Sequence, residues 1–268
     1  MSAVAAYRMR LFEFIEEKLE EQGYNLFRII PPSFTIMEAP EDFGVFEIAA
    51  RTCYKSEDKI DEGTDELLLN KMFRLDHMAM TEFLPDMTVS FRTDRRTSHE
   101  MVRMRHCSFA QESQRYVRYN KKIEFVIPWT ITPENMLSCL YDRTAVHRRY
   151  ALFLDSCIGA SANYMARIEN GEKPEEARGA LTNETATTIC VKANMREWFH
   201  IFNLRADSPA HPNYRLLASN LYIVCQDINP FIFNSTLGDK LDIDADVQWG
   251  TDNFDMFKDR NTYTIVPV

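Results

Sequence analysis

Glycine is scarce in this chain, and its placement excludes the two commonest backbone grips on a nucleotide. Eight glycines occur in 268 residues, at positions 23, 44, 63, 159, 171, 179, 238 and 250. No Gly-x-Gly-x-x-Gly turn and no Walker-type loop can be built from them. If the chain binds a nucleotide, side chains must hold the phosphates. That directs attention to arginine.

The formal net charge is -9, which argues against a general nucleic-acid binder. The charge is uneven, however. Between Arg92 and Lys122 lie nine basic residues (Arg92, Arg95, Arg96, Arg103, Arg105, Arg115, Arg118, Lys121 and Lys122) against three acids, Asp94, Glu100 and Glu112, a local excess of +6. Acid collects in the tail instead, at Asp239, Asp242, Asp244, Asp246, Asp252, Asp255 and Asp259. Two solvated faces would account for such runs. An arginine cluster inside an acidic protein points more specifically to a site for a phosphate-bearing ligand.

Other classes fall away. The apolar runs are too short to span a bilayer, so no membrane partner is expected. Met1 to Gly23 is glutamate-rich where a signal peptide needs an apolar block, which predicts a cytoplasmic protein. The six cysteines form no Cys-x-x-Cys pair and the six histidines no His-x-x-x-His pair, so neither a disulfide framework nor a metal site is expected.

Periodicity predicts helices over 7–22 (Tyr7, Leu11, Phe14, Ile15 and Leu19 on one face), 41–53, 65–78, 134–169 with breaks, 196–203 and 213–226. Strands are expected at 27–30, 34–37, 88–92, 124–127 and 185–192, the last rich in β-branched residues. Ser98 fits the N-cap of a short helix carrying Met101, Val102 and Arg105, and 106–120 reads as a loop. Pro174 suits a first helical position. Helices and strands without βαβ regularity predict an α+β fold, one domain over 1–268 with a mixed sheet packed against helices. A helical N-terminal extension (1–30) and an acidic tail (235–268), read as an arm against a neighbouring subunit, flank it.

The densest chemical motif is Arg103-Met104-Arg105, seven residues, Ser113, then Arg115-Tyr116. Two arginines two apart at a helix end present rigid donor forks to a phosphate, and Ser113, Gln114 and Arg115 add donors. On spacing alone, a surface loop with arginines paired to Glu100 and Glu112 is the better reading. Ser113 has no His/Asp partner nearby, so it is assigned to binding rather than nucleophilic attack.

The full string, Ser98 to Arg105 leading into Gln111-Glu112-Ser113-Gln114-Arg115-Tyr116-Val117, closely resembles the signature of the flavin-dependent thymidylate synthases, the ThyX family. Ala49 to Tyr54, His77 to Glu82, Arg178, Asn194-Met195-Arg196 and Phe202-Asn203-Leu204-Arg205 follow in the family's order, so the resemblance spans about Thr35 to Cys225. It implies a homotetramer with FAD shared between subunits, and dUMP methylated to dTMP with methylenetetrahydrofolate and NADPH as co-substrates. By position, Arg103, Met104 and Arg105 belong to the FAD triplet, and Asn194, Arg196 and His200 line the flavin from another subunit. Gln111, Ser113, Gln114 and Arg115 match the loop over dUMP, with Gln111 also at the cofactor and Glu100 and Arg103 also at the substrate. Arg178 matches a further dUMP arginine. Arg205 matches the arginine at the pyrimidine edge, where a permanent charge stabilises negative charge spread over the ring. His77 reads equally as a structural residue in an apolar helix or as a residue facing the flavin.

Departures cluster at the ligands. Met104 stands where the family usually has histidine, Glu100 where it has glutamine, Ala110-Gln111 where Asn-Glu is frequent, and Pro209, His211 and Pro212 alter the stretch after Arg205. Ionised Glu100 only accepts hydrogen bonds. Against the base it would favour a cytosine amino group; paired with Arg103 or Arg205 it would orient an arginine and leave dUMP the substrate. The second is expected, because a buried unpaired carboxylate is costly. Two alternatives stand beside dUMP methylation: a paralogue alkylating dCMP or transferring a hydroxymethyl group, and a non-catalytic nucleotide or nucleic-acid binder stacking bases on Phe109, Tyr116 and Tyr119.

Overall fold

Two hydrophobic cores organise the chain, and an antiparallel ladder near their boundary sets up the candidate site. The computed structural model describes residues 3–75, 77–144, 146–230, 232–233, 245–250 and 262–267. Along the chain the elements are α1 (Ala3–Glu21), β1 (Phe27–Ile30), β2 (Ser33–Glu38), α2 (Gly44–Thr52), α3 (Thr64–Arg74), a 3-10 turn (Met78–Phe83), β3 (Asp86–Asp94) and α4 (Arg95–Met101). Then come β4 (Ser108–Gln111), β5 (Ile123–Val126), α5 (Pro133–Tyr141), α6 (Arg148–Glu169), α7 (Pro174–Ala177), β6 (Ala186–Asn194), α8 (Met195–Arg205), α9 (Pro212–Ile228), β7 (Ala245–Gly250) and β8 (Thr262–Pro267). The fold is α+β.

Six strands form an antiparallel sheet in the order β4-β6-β3-β2-β8-β7. β3 and β6 pair along their whole lengths, from Asp86 opposite Asn194 to Asp94 opposite Ala186. Val89, Phe91, Ile189 and Val191 alternate into the first core against Trp198, Phe202 and Tyr222 of the covering helices. Trp198 is almost fully buried, and its indole N–H donates to the Met87 carbonyl at 2.9 Å. The second core joins α1, α5 and α6 to the parallel pair β1–β5. The sheets meet where Val126 N–H donates to the Glu184 carbonyl at 2.9 Å.

Each strand of the β3–β6 ladder runs directly into a helix through its own capping residue. Asp94 accepts the Thr97 N–H at 2.9 Å, and Asn194 accepts the Glu197 N–H at 3.0 Å. Capping at both junctions satisfies helix amides that would otherwise lack partners. Asp94 also accepts from Asn213 Nδ2 at 2.6 Å, and Asn213 Oδ1 accepts the Trp129 N–H at 2.9 Å. One buried carboxylate therefore ties α4, the start of α9 and the stretch after β5.

Several expectations change. The cap of α4 is Asp94, not Ser98, because Ser98 lies inside the helix with its hydroxyl donating back to the Arg95 carbonyl at 3.1 Å. α4 ends at Met101, so Arg105 lies beyond it. The expected loop contains β4, an edge strand whose Phe109 packs on the first core. Phe12 is buried on α1 while Tyr7 and Phe14 are exposed. The helix expected to reach Met78 stops at Arg74, leaving His77 outside it. The long helix from 134 breaks where Asp142 accepts from Thr144 N–H and hydroxyl, and His147 caps α6. The described parts of the tail pair with each other and with β2 of the same chain. Asp239, Asp242, Asp244, Asp252, Asp255 and Asp259 lie outside the described residues.

Asp94→Ala should lower stability by about 2–4 kcal/mol, because it removes a cap and strands a buried amide. Chemical denaturation checks this; a midpoint equal to wild type would show that Asp94 ties nothing together.

Candidate functional site

The local charge excess divides into a framework and a free set. Arg92 is fixed by Glu112 at 2.9 Å and by Glu124. Burial alone would lower its pKa, but the two carboxylates outweigh that and raise it. Arg95 donates to the Glu112 carbonyl at 3.4 Å and to Thr187 Oγ1 at 3.3 Å. Arg96 lies 3.5 Å from Asp94 and 3.4 Å from Glu184. Lys122 reaches Glu16 at 2.6 Å and also Glu20. Arg103 and Arg105, in the turns after α4, are exposed and have no acidic partner among the described residues. Met104 between them is buried in the first core, so its side chain does not join theirs.

On α8, Arg196, Phe199, His200 and Asn203 recur at helical spacing along one face. With Asn194, Glu197, Glu82 and His106 they line a pocket of about 540 Å³, a size suited to a small-molecule ligand. Glu82 accepts from Arg196 Nη1 at 3.1 Å and from Asn194 Nδ2. His77 is exposed at the start of the turn that delivers Glu82 and is not among the lining residues. His106 is among the lining residues that sequence reasoning missed. The motif drew attention to 103–105, and nothing in the spacing distinguishes the next position.

Arg205, at the end of α8, donates from Nη1 to Glu100 Oε2 at 2.8 Å, and its guanidinium lies over the Tyr214 ring at 5.1 Å from the centroid. Its Nε is buried without an acceptor among the described residues. This is a donor of the kind an incoming ligand satisfies. Arg205 is one of the two arginines expected as partners of Glu100. Burial pushes the Tyr214 hydroxyl pKa up, Arg205 opposing, which keeps the phenol neutral.

The substrate-loop candidates come together in part. Arg115 Nη2 lies 4.0 Å from Glu175 Oε2, and Arg178 Nε donates to the Glu175 carbonyl at 3.2 Å, so the two arginines share one neighbour. Ser113 Oγ accepts the Arg115 N–H at 3.3 Å. Gln111 faces inward instead, donating to Ser98 Oγ at 2.9 Å and Thr187 Oγ1 at 3.3 Å. Among the described residues no cluster of acids, histidines or cysteines is arranged to hold a metal ion, and no helix is long and apolar enough to cross a membrane.

Comparison with known proteins adds independent findings. The family described as thymidylate synthase complementing protein matches residues 35–231. A flavin-dependent thymidylate synthase from Corynebacterium diphtheriae is 31% identical over 204 residues, covering 73% of this chain and 79% of its own. Its counterpart from Corynebacterium aurimucosum is 30% identical over 203 residues, with 73% and 80% covered, and that from Geobacter sulfurreducens 27% identical over 205, with 74% and 83% covered. Among solved structures, the UMP/dUMP methylase PolB of Streptomyces cacaoi, crystallised with 5-Br dUMP, superposes with a TM-score of 0.61 at 20% identity, over 78% of this chain and 96% of that one.

Cys107 sits close to this site. Burial first and the Glu197 charge second push its thiol pKa up to about 12, so at neutral pH it is a thiol rather than a nucleophilic thiolate. Alkylation at pH 8 should label exposed Cys53 and spare Cys107, as mass spectrometry of digested protein will read. Labelling of Cys107 at the rate of Cys53 would contradict its burial as a neutral thiol.

Proposed function

We propose that this chain, which belongs to the thymidylate synthase complementing protein family, methylates C5 of dUMP to give dTMP in the cytoplasm. Methylenetetrahydrofolate would supply the carbon and NADPH the reducing equivalents, in a homotetramer whose subunits share each site. The observation that carries this reading is the arrangement at Arg205, held by Glu100 at 2.8 Å and stacked on Tyr214, with one buried donor still open.

The residues fit the groups assigned to them. Arg103 and Arg105 are exposed forks without an acidic partner among the described residues, of the kind that bind the phosphates of FAD. Asn194, Arg196 and His200 line one pocket and offer hydrogen-bonding side chains to the ring system. Bound FAD supplies the two-electron reduction that leaves the transferred carbon as a methyl group.

The remaining chemistry belongs to the chain. Arg115 and Arg178 hold the nucleotide phosphate. Arg205 places a permanent charge against the pyrimidine edge and stabilises the electron density that C5 must gain to attack. Glu100 and Tyr214 fix that guanidinium, so little reorganisation is needed when charge develops. Engagement of Glu100 Oε2 by Arg205 favours dUMP over dCMP, because a carboxylate already paired to a guanidinium is a weaker acceptor for a cytosine amino group.

Turnover of dUMP and dCMP by wild type and Glu100→Gln tests the assignment. Wild type should carry flavin and prefer dUMP, and Glu100→Gln should keep that preference while changing the rate. A wild type preferring dCMP, with the preference reversed by Glu100→Gln, would transfer the assignment to the other pyrimidine. Protein that binds dUMP but carries no flavin and turns over neither nucleotide would make it a nucleotide binder.

A further inference from the structure

Residues 113–118 form a loop whose two ends are joined by side chains. Tyr119 Oη, at its far end, donates to Glu112 Oε1, at its near end, at 3.0 Å. The other Glu112 oxygen accepts from Arg92 Nη1 at 2.9 Å and from the Thr188 N–H at 3.3 Å. The Glu112 main chain is fixed as well: its N–H donates to the Thr188 carbonyl at 2.9 Å, and its carbonyl accepts from Arg95. Across the loop, the Tyr119 N–H donates to Tyr164 Oη at 3.2 Å, and the two rings meet edge to face with centroids 5.5 Å apart.

Between these anchors the loop is held lightly. Val117 N–H donates to the Ser113 carbonyl at 2.9 Å and Tyr116 N–H to the same atom at 3.1 Å. Arg115 to Arg118 are exposed. Such a segment would lose conformational entropy when Ser113 and Arg115 close on an anion, and that cost would weaken binding. Joining its ends beforehand removes part of the cost. Neither side chain stood out in the sequence, where Glu112 reads as a surface counter-ion and Tyr119 as a stacking aromatic.

We propose, resting on the reading of Ser113 to Arg115 as the substrate-phosphate loop, that Glu112 and Tyr119 form a staple that pre-organises this loop. They are positioning residues: they act on the anion through the loop. Removing the staple weakens whatever the loop holds and leaves the flavin residues and Arg205 in place.

Tyr119→Phe deletes one hydroxyl and keeps the ring against Tyr164, and Glu112→Gln also breaks the charge pair with Arg92. In the flavin-loaded protein, KM for dUMP should rise about fivefold in Tyr119→Phe and about tenfold or more in Glu112→Gln, the range of one hydrogen bond, neutral or charge-assisted. In both, kcat should stay within about twofold, as expected when uniform binding is lost, with flavin content unchanged. Inorganic phosphate, titrated into the same three proteins, should bind more weakly in the same order. Wild-type KM and phosphate affinity in both variants would overturn the staple, and so would KM, kcat and flavin content failing together. A wild type that binds no phosphate would overturn it as well. Wild type that binds phosphate but does not turn over dUMP would sink the substrate reading alone, and the phosphate titrations would still decide the staple. If Glu112→Gln does not fold, Tyr119→Phe decides.

Discussion

The full-length pairing of β3 with β6 is the constraint from which the candidate site follows. Both strands end on a helix-capping residue, Asp94 in one and Asn194 in the other. Because the strands are antiparallel, α4 and α8 start at opposite ends of the ladder. A nine-residue strand is about 30 Å long and an eleven-residue helix about 16 Å. α8 must therefore travel back along the sheet before its last residue, Arg205, meets Glu100 of α4. That leaves Asn194 and Arg196 near one end of the ladder and Arg205 about halfway along it, with the pocket running from Asn194 to Asn203 between them. The charge pair is thus a tertiary contact made by topology, between residues 105 positions apart.

Electrostatics divides along the same lines. Arg92, Arg96 and Lys122 have internal acids, and Arg95 donates instead to the Glu112 carbonyl and Thr187. They belong to the framework. Arg103, Arg105, Arg115 and Arg178 are exposed, carry no close salt bridge among the described residues, and are the ones proposed to meet ligands. Without glycine loops, phosphate recognition would fall to side chains, whose longer reach demands that their supports be rigid. The Glu100–Arg205 pair and the anchored ends of the 113–118 loop supply that rigidity.

Local rules made much of the fold legible. β1 is bounded by Pro31 and has the predicted limits, and the β-branched run at 187–191 lies within β6. Tertiary choices were not legible. Four residues of alternation at an edge could not mark β4, and Asp94 outcompetes Ser98 as a cap because its carboxylate also meets Asn213 from another helix. Met104 belongs to the arginine triplet in sequence and to the core in space. The arginines and α8 residues of the site were found from the pattern of a resemblance. His106, Tyr214 under Arg205, and Glu175 between Arg115 and Arg178 depend on contacts across the chain that no local pattern carries.

On the function proposed above, arginine side chains on a rigid frame do the work of a phosphate-binding backbone loop. Calorimetric titration of the flavin-loaded protein with dUMP and with deoxyuridine, which lacks only the phosphate, tests it most directly. Two charge-assisted contacts predict that deoxyuridine binds at least about 100-fold more weakly than dUMP. Equal affinity for the two would contradict the account, because the arginines would then contribute nothing to the grip.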